Sequence, residues 1–130
     1  MTDSVEFLDL DDVIELARRL LGEPPPIRDV GLLGSAVARP RTAIGREDAY
    51  PTIWLKAAAL LQSIVANHAL IDGNKRLGWL ATAVFSEING ASVITAANDD
   101  VYDLFMRIAS SKSDIAEIAD HLQRLHDSTG

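Results

Sequence analysis

Cysteine is absent from this chain of 130 residues. Its absence excludes disulfide bonds, thiolate metal sites and a cysteine nucleophile, and it fits a reducing compartment. Basic residues are scarce as well, since twelve Lys and Arg stand against nineteen Asp and Glu, for a net charge of −7. A protein that binds duplex DNA by neutralising its phosphates needs the opposite balance. We therefore expect no DNA binding by this chain on its own.

Long apolar runs are also missing. No stretch approaches the roughly 18 apolar residues that span a membrane, and Asp3, Glu6 and Asp9 occupy positions where a secretory signal needs basic and then apolar residues. We expect a cytoplasmic protein with no membrane partner. With 48% hydrophobic and 24% charged residues the composition is that of a globular chain, and its length predicts one domain over residues 1–130.

Apolar residues at helical spacing dominate the chain, and they predict an all-α fold of six helices. Asp9 is the expected N-cap of the first helix, which Gly22 and the prolines after it end. The second is expected at about residues 29–38, and the third runs from Pro51 to about Ala69. The fourth is the most apolar, so we expect it to be central. The last three helices are expected to begin at about Lys75 and behind the N-caps Asn98 and Ser113.

Residues 39–49 have no helical period and carry a β-branched pair beside a glycine turn signal. We interpret this segment as a flap, either mobile or folded into a short β-hairpin, before the two central helices. Residues 27–46 hold four arginines against one aspartate, a local charge of +3. Three of them, Arg39, Arg41 and Arg46, could attract a nucleotide or an acidic target, and a solvated loop explains them equally well.

The chemistry is concentrated in nine residues between the third and fourth helices, His68-Ala69-Leu70-Ile71-Asp72-Gly73-Asn74-Lys75-Arg76. Gly73 and Asn74 lead into the fourth helix, so free backbone N–H groups and the positive end of the helix dipole form an anion site there. Lys75 and Arg76 follow in the first turn, where a cation is disfavoured by about 0.3 to 1 kcal/mol. A bound polyphosphate would supply the missing negative charge.

Two further side chains complete a catalytic set. Asp72 could hold Mg²⁺, which takes one or two carboxylates together with substrate phosphates and water. His68 precedes the loop, and its imidazole could accept a proton from an attacking hydroxyl at neutral pH. This combination brings a base, a metal ligand and a phosphate site into one loop.

Each of these residues alone has a plainer explanation. His68 continues the apolar stripe of the third helix, as a packed structural histidine would. Residues 72–74 make an ordinary turn, and Lys75-Arg76 an ordinary solvated pair. The joint pattern is specific, whereas no single member of it is.

At these positions the sequence resembles the Fic/Doc family, whose signature is His-x-Phe-x-(Asp/Glu)-Gly-Asn-(Gly/Lys)-Arg. Lys75 is similar to the Doc (death-on-curing) branch, whereas family members that transfer AMP usually have glycine there. Three other stretches resemble Doc-type chains, at residues 10–13, 28–33 and 45–52. The resemblance therefore covers roughly residues 5–125.

The resemblance implies a Fic core with the motif loop between two central helices and a flap that aligns the target segment. It implies that His68 is the general base, that Asp72 is the Mg²⁺ ligand, and that Lys75 and Arg76 act in catalysis. The implied phosphate-binding set is Gly73, Asn74, Lys75 and Arg76.

The lysine form of the motif is associated with an inverted ATP pose, in which the γ-phosphoryl group passes to a threonine of translation elongation factor Tu. The resemblance thus implies a toxin kinase that uses ATP and Mg²⁺. It also implies neutralisation by a small Phd-type antitoxin whose disordered segment folds onto the toxin. Two alternatives stay open: the same site could transfer AMP, or a decayed site could leave a protein that only binds nucleotide or a partner.

The sequence departs from the family pattern at two positions. Leu70 replaces the motif Phe that anchors the loop, and Leu77 stands where Doc-like chains often have Thr. The chain has no (Ser/Thr)-x-x-x-Glu-(Gly/Asn) inhibitory motif, so we expect any restraint to come from another chain.

Four residues outside the motif could bear function. His121 and His126 are five positions apart and are interpreted as surface histidines in preference to a metal pair. Trp54 and Trp79 lie on long helices and are interpreted as packing residues, with an interface as the alternative.

Overall fold

The architecture is that of helices packed around one central helix, seen in a computed structural model that describes residues 4–93, 98–109 and 114–129. The described residues form six α-helices, a 3₁₀ turn and a two-stranded antiparallel hairpin. In chain order these are α1 (Leu10–Leu21), α2 (Val30–Ala38), the 3₁₀ turn (Arg39–Arg41), β1 (Ala43–Ile44), β2 (Glu47–Asp48), α3 (Ile53–Asn67), α4 (Asn74–Ile88), α5 (Asn98–Ala109) and α6 (Ile115–Thr129). The predicted all-α core of six helices, with a small hairpin before the motif, is confirmed.

Local capping signals set the first helix starts. Asp9 caps α1 in a capping box, because its Oδ1 accepts from the Asp12 amide at 2.9 Å while Asp12 Oδ2 accepts from the Asp9 amide at 3.0 Å. Asp29 caps α2 with a single side-chain hydrogen bond, which its Oδ1 accepts from the Leu32 amide at 3.0 Å. Both starts lie where the sequence predicts them.

The later starts differ from the predictions by one or two residues. Pro51 precedes α3 instead of opening it, because the Thr52 hydroxyl caps this helix. Asn98 is the first residue of α5 and not the residue before it. The predicted cap Ser113 lies outside the described residues, and Asp114 accepts a capping hydrogen bond from the Glu117 amide at 2.8 Å.

The central helix is α3, and the expectation that α4 would take this place is wrong. Helix α3 packs against α2, α4 and α6, while α4 packs against α3 and α1. Residues 56–61 of α3 are all buried. Since a helix turns once in about 3.6 residues, such a run must be covered on every side.

A buried lysine fastens the flap to α3. Lys56 is only 2% exposed, and its Nζ donates to Asp48 Oδ2 at 3.0 Å and to the Tyr50 carbonyl. A buried ammonium needs such partners, since an unpaired charge in the interior is very unfavourable. The end of the hairpin is therefore tied to the core.

Two of the three flap arginines are structural. Arg39 donates to the Tyr50 hydroxyl, Gln62 Oε1 and Ser63 Oγ, each at 2.8 Å. Arg41 donates to the Leu8 carbonyl at 3.2 Å, and its guanidinium lies 4.8 Å from the centre of the Phe7 ring. Arg39 and Arg41 are therefore tied to neighbouring parts of the fold, although Arg41 remains exposed, and Arg46 is exposed at the hairpin turn.

Within the described residues, no helix has the length and apolarity to cross a bilayer.

Candidate active site

His68 lies at the carboxyl end of α3, directly after the last helical residue. Its backbone is left-handed, with φ 51° and ψ 44°, and it is the only non-glycine residue with positive φ in the part of the chain that the structure describes. This conformation costs a residue with a Cβ about 1–2 kcal/mol. The left-handed turn ends the apolar stripe of α3, and the His68 side chain is exposed. The interpretation of His68 as a packed core histidine is therefore wrong.

Four contacts join residues 26–29 to the loop that begins at His68. Three of these contacts are backbone hydrogen bonds, from Arg28 N and from Asp29 N to the Ala69 carbonyl at 2.8 and 3.0 Å, and from Ile71 N to the Pro26 carbonyl at 2.9 Å. The fourth runs from the Arg28 guanidinium to the His68 carbonyl. Between these contacts, Ile27 and Leu70 pair as an isolated antiparallel β-bridge. The motif loop is thus held by a segment far away in the sequence.

The loop also closes on itself through Asn74. The Asn74 Oδ1 accepts from the Leu70 amide and its Nδ2 donates to the Leu70 carbonyl, both at 3.0 Å. Leu70 is 2% exposed and belongs to the core, so it anchors the loop although it is smaller than the motif Phe. Since the side chain of Asn74 is engaged, the backbone N–H is what this residue chiefly offers to a phosphate.

Gly73 makes the sharp turn into α4. Its φ of 90° and ψ of 12° are left-handed, and a Cβ at this position would lie 2.8 Å from each terminal methyl of Leu21. The first backbone hydrogen bond of α4 runs from Leu77 N to the Gly73 carbonyl at 2.9 Å. The N–H groups of residues 74–76 precede it and have no acceptor within the helix, so they form the predicted donor set for an anion.

The charged residues of the motif surround these donors. Lys75, Arg76 and Asp72 are all exposed. Arg76 Nη2 lies 3.9 Å from Asp72 Oδ2, with the two side chains 61% and 86% exposed. An ion pair this long and this exposed contributes little, so neither side chain is committed to the other.

The residues of the site line one cavity of about 460 Å³. It is lined by His68, Asp72, Gly73, Asn74, Lys75 and Arg76, with Val65 and Ile71 as apolar walls. A volume of this size is typical of a small-molecule site. The structure brings together every residue that the sequence pattern selects for chemistry, and within the described residues the His68 imidazole makes no hydrogen bond.

Asp72 is the carboxylate of the site that fits a metal ion. In the part of the chain that the structure describes, no three His, Cys, Asp or Glu side chains gather into a metal-binding cluster. An exposed carboxylate next to phosphate-binding N–H groups suits Mg²⁺, which takes its other ligands from phosphate oxygens and water.

An apolar groove of about 570 Å³ adjoins the cavity between α1, α4 and α5. It is lined by Leu20, Lys75, Arg76, Trp79, Leu80, Ala83, Val84 and Phe105. Lys75 and Arg76 therefore face both spaces. The Trp79 and Phe105 rings meet edge to face with their centres 6.4 Å apart. Trp79 packs at the rim of the fold, in agreement with its interpretation as a packing residue.

The remaining candidates take part in packing. The rings of His126 and Trp54 lie 5.3 Å apart, and His126 Nδ1 lies 2.6 Å from the Ser92 carbonyl oxygen. His121 is half-buried on α6, and its Nδ1 is buried without a hydrogen-bond partner among the described residues. Burial lowers the pKa of His121, and the nearby positive charges of Arg124 and Arg107 lower it further.

Arg28 and Lys56 are residues to which the sequence analysis gives no role, although Arg28 lies in the Doc-like stretch 28–33. Arg28 contacts a carbonyl 40 positions later, and Lys56 binds a carboxylate in the flap. No periodic signal marks either residue, because the partners lie in other elements. The basic residue in an otherwise apolar helix is the one hint that the sequence offers for Lys56.

The profile of the Fic/DOC family matches residues 7–86, which is more than half of the chain, so this protein belongs to the Fic/DOC family. The matched region includes α1, the flap, α3 and most of α4, and hence the whole motif loop. The chain is also 46% identical over 120 residues to the protein named Toxin Doc from Mycolicibacterium smegmatis (strain ATCC 700084 / mc(2)155). That similarity covers 90% of this chain and 91% of the relative, and it assigns the chain to the Doc branch of the family.

Proposed function

We propose that this chain is a Doc-like toxin that transfers the γ-phosphoryl group of ATP to a serine or threonine hydroxyl of a target protein. The observation that carries the proposal is the meeting of an exposed imidazole, a carboxylate and a cationic helix N-terminus at one cavity. The similarity to Toxin Doc along 90% of the chain supports the toxin assignment. Lys75, the residue typical of the Doc branch, favours phosphoryl over AMP transfer.

The chemical step assigns a role to each side chain. His68 accepts the proton of the target hydroxyl, whose oxygen attacks the γ-phosphorus. The new P–O bond forms as the bond to the β,γ-bridging oxygen breaks, and ADP leaves. The N–H groups of residues 74–76 and the side chains of Lys75 and Arg76 stabilise the negative charge of the transferring group. When bound at Asp72, Mg²⁺ would neutralise further phosphate charge.

The target that we propose is translation elongation factor Tu, as the resemblance to the Doc branch implies. Modification of this factor would block translation, and the protein would then act in the cytoplasm. The test is intact-mass spectrometry of purified elongation factor Tu after incubation with this protein and Mg·ATP. We expect a gain of one phosphoryl group, and we expect none with His68→Ala.

The same experiment separates the alternatives. A mass gain of one AMP would show that the site transfers AMP and not a phosphoryl group. If His68→Ala still modified the target, the proposed role of the imidazole would be wrong. Mg·ATP should also raise the melting temperature of the wild-type chain, because a ligand that binds only the folded state stabilises it. Failure to raise it, with no modification of the target, would favour a decayed, non-catalytic site.

The partner that we propose is a small Phd-type antitoxin encoded beside the toxin. The apolar groove supports a docking place for it, since Leu80, Val84 and Phe105 form an apolar floor and Lys75 and Arg76 provide a cationic end. A segment that combines apolar residues with an acidic one would match both features. Because the two cations also face the cavity, such a segment would compete with nucleotide phosphates for them.

A further inference from the structure

Arg28 contacts the one residue whose orientation matters most for the proposed reaction. Its guanidinium Nη2 donates to the carbonyl oxygen of His68, the residue that follows the last turn of α3. We infer that Arg28 is a positioning residue that fixes the direction of the His68 imidazole. This inference rests on the proposed function, in which His68 accepts a proton.

The backbone at His68 needs outside support. In the described residues it is the only residue other than glycine with a positive φ, and a left-handed backbone is unfavourable for a side chain with a Cβ. It persists when surrounding contacts hold it in place. The Arg28 guanidinium supplies such a contact at the His68 carbonyl, and hydrogen bonds from a charged donor are stronger than those from a neutral one.

The imidazole has little else to orient it. The residue is exposed, and the ring makes no hydrogen bond within the described residues. The orientation of the imidazole relative to the backbone therefore depends on the φ and ψ angles of His68 itself. A change in these angles would move the proton acceptor relative to the phosphate site at residues 73–76.

The backbone bonds next to Arg28 make a selective test possible. The amides of Arg28 and Asp29 both donate to the Ala69 carbonyl, and the Asp29 side chain caps α2. None of these contacts uses the Arg28 side chain. Replacing that side chain should therefore leave the join between the two segments intact while releasing the His68 carbonyl.

The experiment is NMR of the His68 Cα and Cβ in the full chain, with Arg28→Met, Arg28→Gln and Arg28→Lys. We expect both neutral variants to shift these signals away from left-handed values, and we expect Arg28→Lys to retain them in part because an ammonium can still donate. Arg124→Met, at a 62% exposed arginine on α6, is the matched control and should change nothing at His68. Unchanged His68 shifts in Arg28→Met and Arg28→Gln would overturn the inference.

Kinetics gives the second readout. In Arg28→Met the rate of phosphoryl transfer should fall by up to about a hundredfold, the effect of a misplaced catalytic group, while the affinity for Mg·ATP stays that of the wild type. Equal losses of rate and affinity would indicate a general disturbance of the site and would contradict the positioning role. If the wild-type chain transferred no phosphoryl group, the proposed function would be wrong. The NMR result would still show whether Arg28 holds the backbone of His68.

Discussion

At the scale of single residues, the site depends on two left-handed positions that border the motif loop. His68 begins the loop with a backbone that a side chain disfavours, and Gly73 ends it with one that glycine tolerates. The two positions turn the chain out of α3 and into α4 within a few residues. The loop therefore holds its shape through backbone conformation as well as through the contacts of residues 26–29.

Gly73→Ala should destabilise the chain more than Gly90→Ala does. Both glycines have positive φ, 90° and 75°, so each substitution meets the backbone cost of about 1–2 kcal/mol. At Gly73 the new Cβ also meets Leu21 at 2.8 Å, whereas nothing lies within 4 Å at Gly90. These methyl groups end the half-buried side chain of Leu21, which can shift, so we expect the clash to add less than the backbone cost itself. Urea unfolding of the two variants measures the difference.

Leu21→Ala provides the check on this explanation. Combined with Gly73→Ala, it removes the methyl groups that the new Cβ would meet, so the double variant should lose less stability than the two single losses added together. Additive losses would show that Leu21 is not what disfavours a side chain at position 73.

At the scale of elements, the flap is attached to α3 by a contact that no local pattern predicts. The Lys56 ammonium is buried and binds Asp48 of β2, while Asp48 itself is 56% exposed. Lys56→Met keeps the apolar stem of the side chain and removes the charge that holds the hairpin end. We expect the hairpin to open more often in this variant.

Limited trypsin digestion measures this opening. The exposed Arg46 at the hairpin turn is a cleavage site, and cleavage after it should be faster in Lys56→Met than in the wild type. Lys75→Met, which removes an exposed ammonium outside the flap, should be cleaved at Arg46 at the wild-type rate. Equal cleavage rates in all three proteins would mean that Lys56 does not restrain the flap.

The sequence predicts a helix end correctly where the residues that set it lie close by in the chain, and it fails where distant residues set that end. Asp9, Asp29 and Gly22 act within one turn of their helices, and the ends that they set are where the sequence predicts them. The sequence misplaces the end of α3 because the apolar stripe continues to His68, while the left-handed turn there is supported by residues 26–29. It misplaces the centre of the fold because burial on all sides of α3 is a property of its neighbours.

The candidate site is more predictable than the fold around it. Its cavity is lined by residues most of which lie within nine positions of one another, so a local pattern contains most of its chemistry. The contact from Arg28 spans 40 positions, and only the structure reveals it.

The packing of α5 and α6 makes the stability of the chain depend on pH. Burial lowers the pKa of His121, and the positive charges of Arg124 and Arg107 lower it further. Asp100 and Asp103 raise this pKa, but the net shift is downward. In the unfolded chain the pKa is the ordinary value of about 6.5. As pH falls below that value the unfolded chain gains a proton that the folded chain does not, so folding stability declines.

Urea unfolding at pH 7.5 and 5.5 measures this decline. His121→Gln removes the titrating group, so the free energy of unfolding should decrease less over this interval in the variant than in the wild type. Equal decreases would mean that other groups account for the pH dependence.

At the scale of the whole molecule, charge and apolar surface together restrict what can bind beside the site. The chain carries a net charge of −7, so an acidic partner is repelled at long range. Lys75 and Arg76 reverse this locally, at one end of the apolar groove. The proposed antitoxin segment would therefore bind the groove mainly through apolar contacts. Its one acidic residue, paired with Lys75 and Arg76, would fix the position of the segment along the groove.

Val84→Glu should accordingly weaken antitoxin binding without removing toxin activity. Val84 lines the groove but not the cavity that holds the proposed catalytic residues, and a carboxylate there would be buried unpaired under a bound apolar segment. A loss of about 1.4 kcal/mol or more corresponds to at least tenfold weaker binding, measurable by isothermal titration calorimetry with the purified antitoxin. Val30→Glu is the matched control, because Val30 is 53% exposed on α2 and lines neither space. Wild-type affinity in Val84→Glu would place the antitoxin on another surface, whereas a loss shared by both variants would point to charge repulsion alone, since each adds one negative charge to an already acidic chain.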